Sequence, residues 1–326
     1  MDQNHPGSPP LLSVRHLTKT FKVREGFRRR RVNAVDDVSF HINAGETYAL
    51  VGESGSGKST TGRTLLRLID ATSGRADFAG RDIFSLSAAA LRELRKDIQM
   101  IFQDPLSSLD PKRTIGYSVA EPLLIHGIGD RAERQDRVGR LLTRVGFSPA
   151  DAKRYPHEFS GGQRQRIGIA KALILNPRLI VCDEPVSALD VSIQSQILNL
   201  LLQLQRENNF AYLFIAHDLG VVRHIADRIG VMYRGRLVEE APTDTLFAAA
   251  RHPYTQYLLA SIPPSHPGLR IAPARPPAAN AGADRTSGRG CVFSGKCPHA
   301  AAHCFEQVPV ERILGDRHHV ACHLFS

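Results

Sequence analysis

Eight consecutive residues, Gly52-Glu53-Ser54-Gly55-Ser56-Gly57-Lys58-Ser59, leave this chain little architectural choice. They fit the pattern of a glycine, four residues, then Gly-Lys-Ser, which cradles phosphate when it links a strand to a helix. An apolar run at 48–51 enters the stretch, and helical spacing begins near Ser59, so that context is predicted here. Glycines permit backbone conformations in which successive N–H groups converge on anionic oxygens. The start of the helix adds unpaired donors and a partial positive charge. Lys58 is expected to reach the β- and γ-phosphates, and the Ser59 hydroxyl to ligate Mg²⁺. With Gly52, Ser54, Gly55, Ser56, Gly57 and Thr60 they make up the expected ATP-binding loop.

Further apolar runs at 11–17, 38–42, 98–103, 179–183, 211–216 and 229–233 read as strands. Helical spacing at 59–69, 162–174, 191–205 and 219–226 separates several of them, which predicts an α/β fold around a largely parallel sheet. Val191, Ile197, Leu198, Leu201 and Leu204 form an apolar stripe expected to be core. From 114 to 158 there is no strand candidate, and the segment reads as a helical insertion whose clearest member is 131–145. Leu179-Ile180-Val181-Cys182-Asp183-Glu184 brings two carboxylates to the end of a buried strand, where open α/β sheets bind ligands. Asp183 is expected to hold Mg²⁺, and Glu184 to polarise an attacking water as general base.

At 326 residues, the chain has room for one large domain and a smaller appendage. Forty-two basic against 32 acidic residues give a net charge of +10, suited to phosphate-bearing partners or an anionic lipid face. Tryptophan is absent and aromatics are 6%, which argues against stacking platforms for single-stranded nucleic acid. No apolar run approaches the roughly 20 residues of a membrane span. Residues 1–10 lack the apolar core of a signal peptide, so a cytosolic chain with reduced thiols is expected.

Phe159-Ser160-Gly161-Gly162-Gln163 is not required of phosphate-loop proteins in general. Together with the elements above it resembles the signature of the ABC ATPases, the nucleotide-binding subunits of ABC transporters. Gln103 in Ile101-Phe102-Gln103-Asp104-Pro105 resembles the family's Q-loop, and Ser187-Ala188-Leu189-Asp190 its D-loop. His217 resembles the switch histidine, and Phe21 the aromatic that stacks on adenine. The resemblance covers about 11–250. It implies a phosphate-loop, RecA-like core with an antiparallel β subdomain and a helical subdomain at about 104–160, followed by a C-terminal extension at 251–326. It also implies a head-to-tail pair of ATPase chains, in which Ser160, Gly161, Gly162 and Gln163 act on ATP held by the partner. Gln103 would join Ser59 and Asp183 around Mg²⁺, and His217 would hold the γ-phosphate in register with Glu184.

Tyr155-Pro156-His157-Glu158-Phe159, Gln163-Arg164-Gln165-Arg166 and Arg251-His252-Pro253-Tyr254-Thr255 narrow the resemblance to the dipeptide/oligopeptide import ATPases. Phe159, Gln163 and Val186-Ser187-Ala188-Leu189-Asp190 look more like the F-type subunit than its D-type partner. That group implies a D-type ATPase partner, two transmembrane permease subunits, an extracytoplasmic substrate-binding protein, and a place at the cytoplasmic face of the membrane. The helical insertion would dock the permeases. Nickel and glutathione systems use nearly the same ATPase. A soluble ABC ATPase acting on ribosomes or DNA is disfavoured by a single phosphate loop and no long insertion, and a non-hydrolysing scaffold by the presence of Glu184, Gln103 and His217.

Two features stand outside the core pattern. Arg28-Arg29-Arg30-Arg31 reads as a solvated hairpin tip, with contact to anionic lipid as the alternative; no base-reading module accompanies it, so nucleic acid is not an expected partner. After prolines 263, 264, 267, 273, 276 and 277, a linker by composition, come Cys291, Cys297, Cys304 and Cys322. Such a small module usually needs a staple. Disulfides are disfavoured by compartment, and zinc ligands typically come as closer pairs. Four thiols also suit an iron–sulfur cluster, whose spacings vary more. The tail resembles the C-terminal segment of peptide-import ATPases, some of which carry a four-iron cluster. A [4Fe-4S] site on these four cysteines is the expectation, with zinc or free thiols as alternatives. His299, His303, His318, His319 and His323 are expected at the surface, and Cys182 as a small core filler.

Overall fold

Four of the unbroken apolar runs form strands buried along their whole length: Thr47–Val51, Leu179–Asp183, Ala211–Ala216 and Arg228–Tyr233. Burial on both faces is characteristic of parallel sheets covered by helices. The computed structural model describes residues 9–25, 28–262, 289–315 and 317–325. They fall into two compact units, one built mainly from 42–46 and 85–215, the other mainly from 11–41, 47–84 and 216–326.

In the first unit, Leu179–Asp183 pairs in parallel with Ile98–Ile101 and with Ala211–Ala216. Helices Ile115–Ile125, Arg131–Arg144 and Gly161–Leu173 include the expected insertion. Arg131–Arg144 begins where Asp130 and Glu133 form a reciprocal capping box, and buries Val138, Leu141 and Leu142 on one face. Val191–Asn208 buries Ile197, Leu198, Leu201 and Leu204 and stops at Asn209 in the left-handed region. Val191 departs from its expected core position and is 78% exposed. It is the first residue of the helix, seven residues before Leu198 on the same stripe.

In the second unit, Thr47–Val51 pairs in parallel with Arg228–Tyr233, which pairs antiparallel with Arg236–Pro242. His319–Ala321 then adds to Arg236–Pro242, and Glu311–Ile313 to His319–Ala321. A separate antiparallel sheet has the order Arg28–Ile42, Leu12–Glu25, Ser73–Phe78, Arg81–Asp82. The arginine run opens the strand Arg28–Ile42 instead of forming a turn, with Arg30 and Arg31 exposed. The helix expected at 219–226 is a single turn, Leu219–Val222.

The C-terminal tail is built onto the sheet through Glu239. This buried carboxylate accepts from Arg251 N–H at 2.7 Å, His252 N–H at 2.9 Å and His318 Nε2 at 2.7 Å. His318 is therefore buried, against the expectation of a surface histidine, because it pairs with an acid that would otherwise lie charged in the core. The proline-rich stretch from 263 to 277 lies outside the described residues.

Candidate functional site

The phosphate loop leaves the buried strand Thr47–Val51 and enters the helix Lys58–Leu65 at Gly57, which sits at φ 106 as its N-cap. Gly52 and Gly55 also have positive φ, at 152° and 80°. A Cβ on Gly52 would lie 2.1 Å from the Met232 carbonyl oxygen, and one on Gly57 2.1 Å from that of Ala34. Both positions therefore exclude any side chain. Lys58 is buried, its ammonium donating to the carbonyls of Gly52 at 2.7 Å and Glu53 at 2.9 Å. Ser56 is buried with it, Ser54 and Gly55 are exposed, and Ser59 and Thr60 are half-buried at the helix start. A cation at the helix N-terminus beside a nest of N–H groups is an anion site.

In the same unit, Phe21 is 38% exposed on the strand Leu12–Glu25, with the Lys19 ammonium 4.9 Å from its ring centroid. The partly exposed ring thus already makes a cation–π contact with Lys19. His217 follows the strand Ala211–Ala216 directly and is exposed.

In the first unit, Asp183 ends its strand at 1% exposure. Glu184 follows at φ 49, a conformation uncommon for a residue with a side chain, and its N–H donates to the Ile215 carbonyl at 3.0 Å. Strain of this kind persists where surrounding contacts over-determine it and clusters at functional sites. The turn aims the carboxylate at Gln103, whose Nε2 donates to Glu184 Oε2 at 3.1 Å and to Ser187 Oγ at 3.3 Å. Gln103 and Glu184, 81 residues apart in sequence, are thus brought together. Ser187, part of the expected D-loop, is an additional polar neighbour of Gln103.

Ser160 caps the helix Gly161–Leu173, accepting from Gln163 N–H at 3.3 Å, while Gln163 Oε1 accepts from Ser160 N–H at 2.9 Å. The Gln163 side chain is thus engaged in the cap, and the exposed helix start presents Ser160 and Gly161. Gly162 is held small by Ile193, which would meet its Cβ at 2.5 Å. Phe159 anchors the loop beneath, buried edge-on to Phe147 with Arg154 over its face. Asp190 is the exposed N-cap residue of Val191–Asn208.

Cys291, Cys297, Cys304 and Cys322 line one cavity of about 90 Å³. Burial raises the Cys291 thiol to about 11, and pushes Cys297 and Cys322 upward. Among the described residues, no three histidine, cysteine or acidic side chains gather closely enough to hold a single metal ion. His252 Nε2 and Ser294 Oγ, on the same wall, are buried without a hydrogen-bond partner among the described residues. Cys182 is fully buried, and desolvation drives its thiol far above the usual range, as befits a core filler.

Comparison with known proteins agrees with this geometry. A family profile described as "ABC transporter" matches residues 35–187, and one described as "Oligopeptide/dipeptide transporter, C-terminal region" matches 238–304. The chain is 49% identical to the oligopeptide transport ATP-binding protein AppF of Bacillus subtilis (strain 168), over 97% of this chain and 98% of that protein. It is 57% identical to the glutathione import ATP-binding protein GsiA of Salmonella paratyphi A over 79% of this chain, but spans only 42% of GsiA's length. The dimeric ATP-binding cassette MJ0796, in a post-hydrolysis state with ADP and Pi, superposes with a TM-score of 0.64 at 31% identity, covering 71% of this chain and 98% of that one. No helix among the described residues is long and apolar enough to cross a membrane. The phosphate loop, the Gln103–Glu184 pair, the capped signature helix and near-full-length likeness to AppF agree: the chain belongs to the ATP-binding proteins of ABC transporters, in the group that carries the oligopeptide/dipeptide transporter C-terminal region.

Proposed function

We propose that this chain is the ATP-hydrolysing subunit of an importer for di- and oligopeptides, of the F-type, working at the cytoplasmic face of the cell membrane. The observation that most supports the cargo is likeness to AppF along nearly the whole of both chains. The proposed partners are a D-type ATPase, two membrane permeases and an extracytoplasmic binding protein. The proposed layout is a nucleotide-binding domain at 11–250, with a helical subdomain at about 104–160 that docks the permeases, and an extension at 251–326.

The phosphate loop grips the nucleotide through its N–H groups and Lys58, and Phe21 stacks on the base. ABC ATPases bind ATP with Mg²⁺, an ion that keeps several waters and is held by substrate phosphates with one or two protein carboxylates, here Asp183. Further protein oxygens act directly or through water. Asp183, Ser59 and Gln103 suit that role, and a dedicated three-ligand protein cage is not required. Glu184 takes the proton of the attacking water, oriented by Gln103, and His217 holds the γ-phosphate. Ser160, Gly161 and Gly162 complete the site of the partner chain, with Gln163 holding the helix start in shape, and Asp190 sits beside that contact. ATP closes the pair and its loss reopens it, since only differential affinity for the two states lets a ligand drive a transition.

The test is ATP turnover by the complex co-purified from membranes with its attached chains. Peptide-loaded binding protein is expected to stimulate turnover about tenfold over unloaded protein, a typical allosteric coupling. Stimulation by glutathione or nickel in place of peptides replaces the proposed cargo.

For the tail we propose that Cys291, Cys297, Cys304 and Cys322 hold a [4Fe-4S] cluster. Four thiols around one cavity, whose wall also carries His252 Nε2 and Ser294 Oγ without partners among the described residues, support a thiolate-held group there. Such a cluster supplies a structural or redox-sensitive staple, which transport chemistry does not need. Iron and sulfide near four atoms each per chain are expected, falling by at least about half in Cys304→Ser because one of four ligands is lost. Zinc without iron overturns the assignment.

A further inference from the structure

The turn that opens the helix Pro253–Ala260 carries two buried side chains two positions apart, and each reaches a different place. The Tyr254 hydroxyl accepts from Glu53 N–H at 2.9 Å. That N–H belongs to the same peptide unit as the Gly52 carbonyl, on which the Lys58 ammonium rests at 2.7 Å. One peptide plane of the phosphate loop is therefore held at both ends, by Tyr254 and by Lys58. Glycine offers little steric resistance to rotation, so the plane depends on these hydrogen bonds for its orientation.

His252 faces the other way. Its Nδ1 accepts from Tyr254 N–H at 3.0 Å, which leaves the proton of the neutral ring on Nε2. That Nε2 has no partner among the described residues, and the ring lines the cysteine-walled cavity. Phe293 lies on the same wall, its centroid 5.7 Å from the His252 ring and 5.4 Å from the Tyr254 ring. Tyr233 packs on Tyr254 at 4.5 Å and edge-on to Phe293 at 5.3 Å, closing the aromatic cluster. A buried donor without an acceptor is costly, so any occupant offering acceptor atoms draws on the turn that carries Tyr254.

We propose that Tyr254 is a positioning residue that couples the cysteine-lined cavity to the phosphate loop, so that a change in the cavity wall alters how tightly the loop holds ATP. This rests on the ATP-binding reading of the loop, and on no particular occupant of the cavity. Glu53 and Tyr254 lie 201 residues apart, so nothing local in the sequence announces the link.

A double-mutant cycle on the full-length protein tests it, with a fluorescent ATP analogue as probe and iron and sulfide assayed on every sample. Tyr254→Phe is expected to weaken binding about tenfold, the scale of a buried N–H left unpaired. The number of sites per chain stays constant, because a folding defect removes sites and leaves the affinity of the remainder unchanged. KM for ATP rises with it while kcat at saturation moves by less than about twofold, the split of a binding-geometry effect. Phe293→Leu is expected to weaken binding about threefold alone and to add nothing in the Tyr254→Phe background, the non-additivity of coupled neighbours. Phe293→Met, whose unbranched, flexible side chain can fill irregular space, takes its place if Phe293→Leu does not fold. Additive effects, or a Tyr254→Phe affinity within about twofold of the unmodified protein, overturn the coupling. Samples without iron remove the cluster assignment alone, and absence of ATP binding by the unmodified chain overturns both the loop reading and this inference.

Discussion

Glu184→Gln is expected to lower ATP turnover about 10³-fold, within the range that a positioned general base contributes. The substitution keeps the shape of the side chain and removes its ability to take a proton. Glu184 lies at φ 49 whatever its terminal group, and its backbone N–H remains bonded to Ile215, so the turn has no new reason to move. Gln103 Nε2 retains an oxygen acceptor in the new amide, at the contact now 3.1 Å long. ATP affinity should therefore stay within about twofold, since an interaction made only in the transition state affects kcat and spares binding. With hydrolysis blocked and binding intact, the ATP-bound pair accumulates, visible in sedimentation with Mg-ATP as the combined mass of this chain and its D-type partner. Turnover within about tenfold of the unmodified enzyme would falsify the role of Glu184 as base.

What could be read directly from the sequence follows from how local each signal is. The phosphate loop, the Asp183-Glu184 pair and the Ser160 cap each sit within a few residues of the strand or helix that presents them, so spacing alone carried them. Ser73–Phe78 escaped because three of its six residues are exposed and an Arg and an Asp dilute its alternation. Arg236–Pro242 escaped because Glu239 and Glu240, normally surface residues, are buried in it. Each acid is held there by a partner far along the chain, His318 for Glu239 and Tyr48 for Glu240, with Arg228 of the paired strand also on Glu240. The same distance hid the burial of His318 and the bond from Glu53 to Tyr254. Sequence marked the cysteines by spacing; only the fold placed all four on one cavity with Phe293 and His252.

Gly57→Ala is expected to abolish ATP binding at millimolar nucleotide and to destabilise the protein by about 3 kcal/mol or more. Two costs combine. Alanine at φ 106 occupies a region that side chains rarely adopt, worth about 1–3 kcal/mol. Its Cβ would also lie 2.1 Å from the Ala34 carbonyl oxygen and 2.8 Å from Met232 Cε. The methionine end can swing away, but the Ala34 carbonyl is backbone of the long strand Arg28–Ile42 and cannot retreat without moving the strand. The strain therefore falls on the loop, at the N-cap of the helix whose first N–H groups are proposed to face the phosphates. Gly55→Ala separates the two costs. Gly55 also has positive φ, at 80°, but a Cβ there meets nothing within 4 Å. It is expected to cost only about 1 kcal/mol and to keep measurable ATP affinity. Urea denaturation of both variants, with a fluorescent ATP analogue titrated into each, gives the comparison. Equal losses would mean that backbone conformation alone, and not the close approach of Ala34, sets the shape of the cradle.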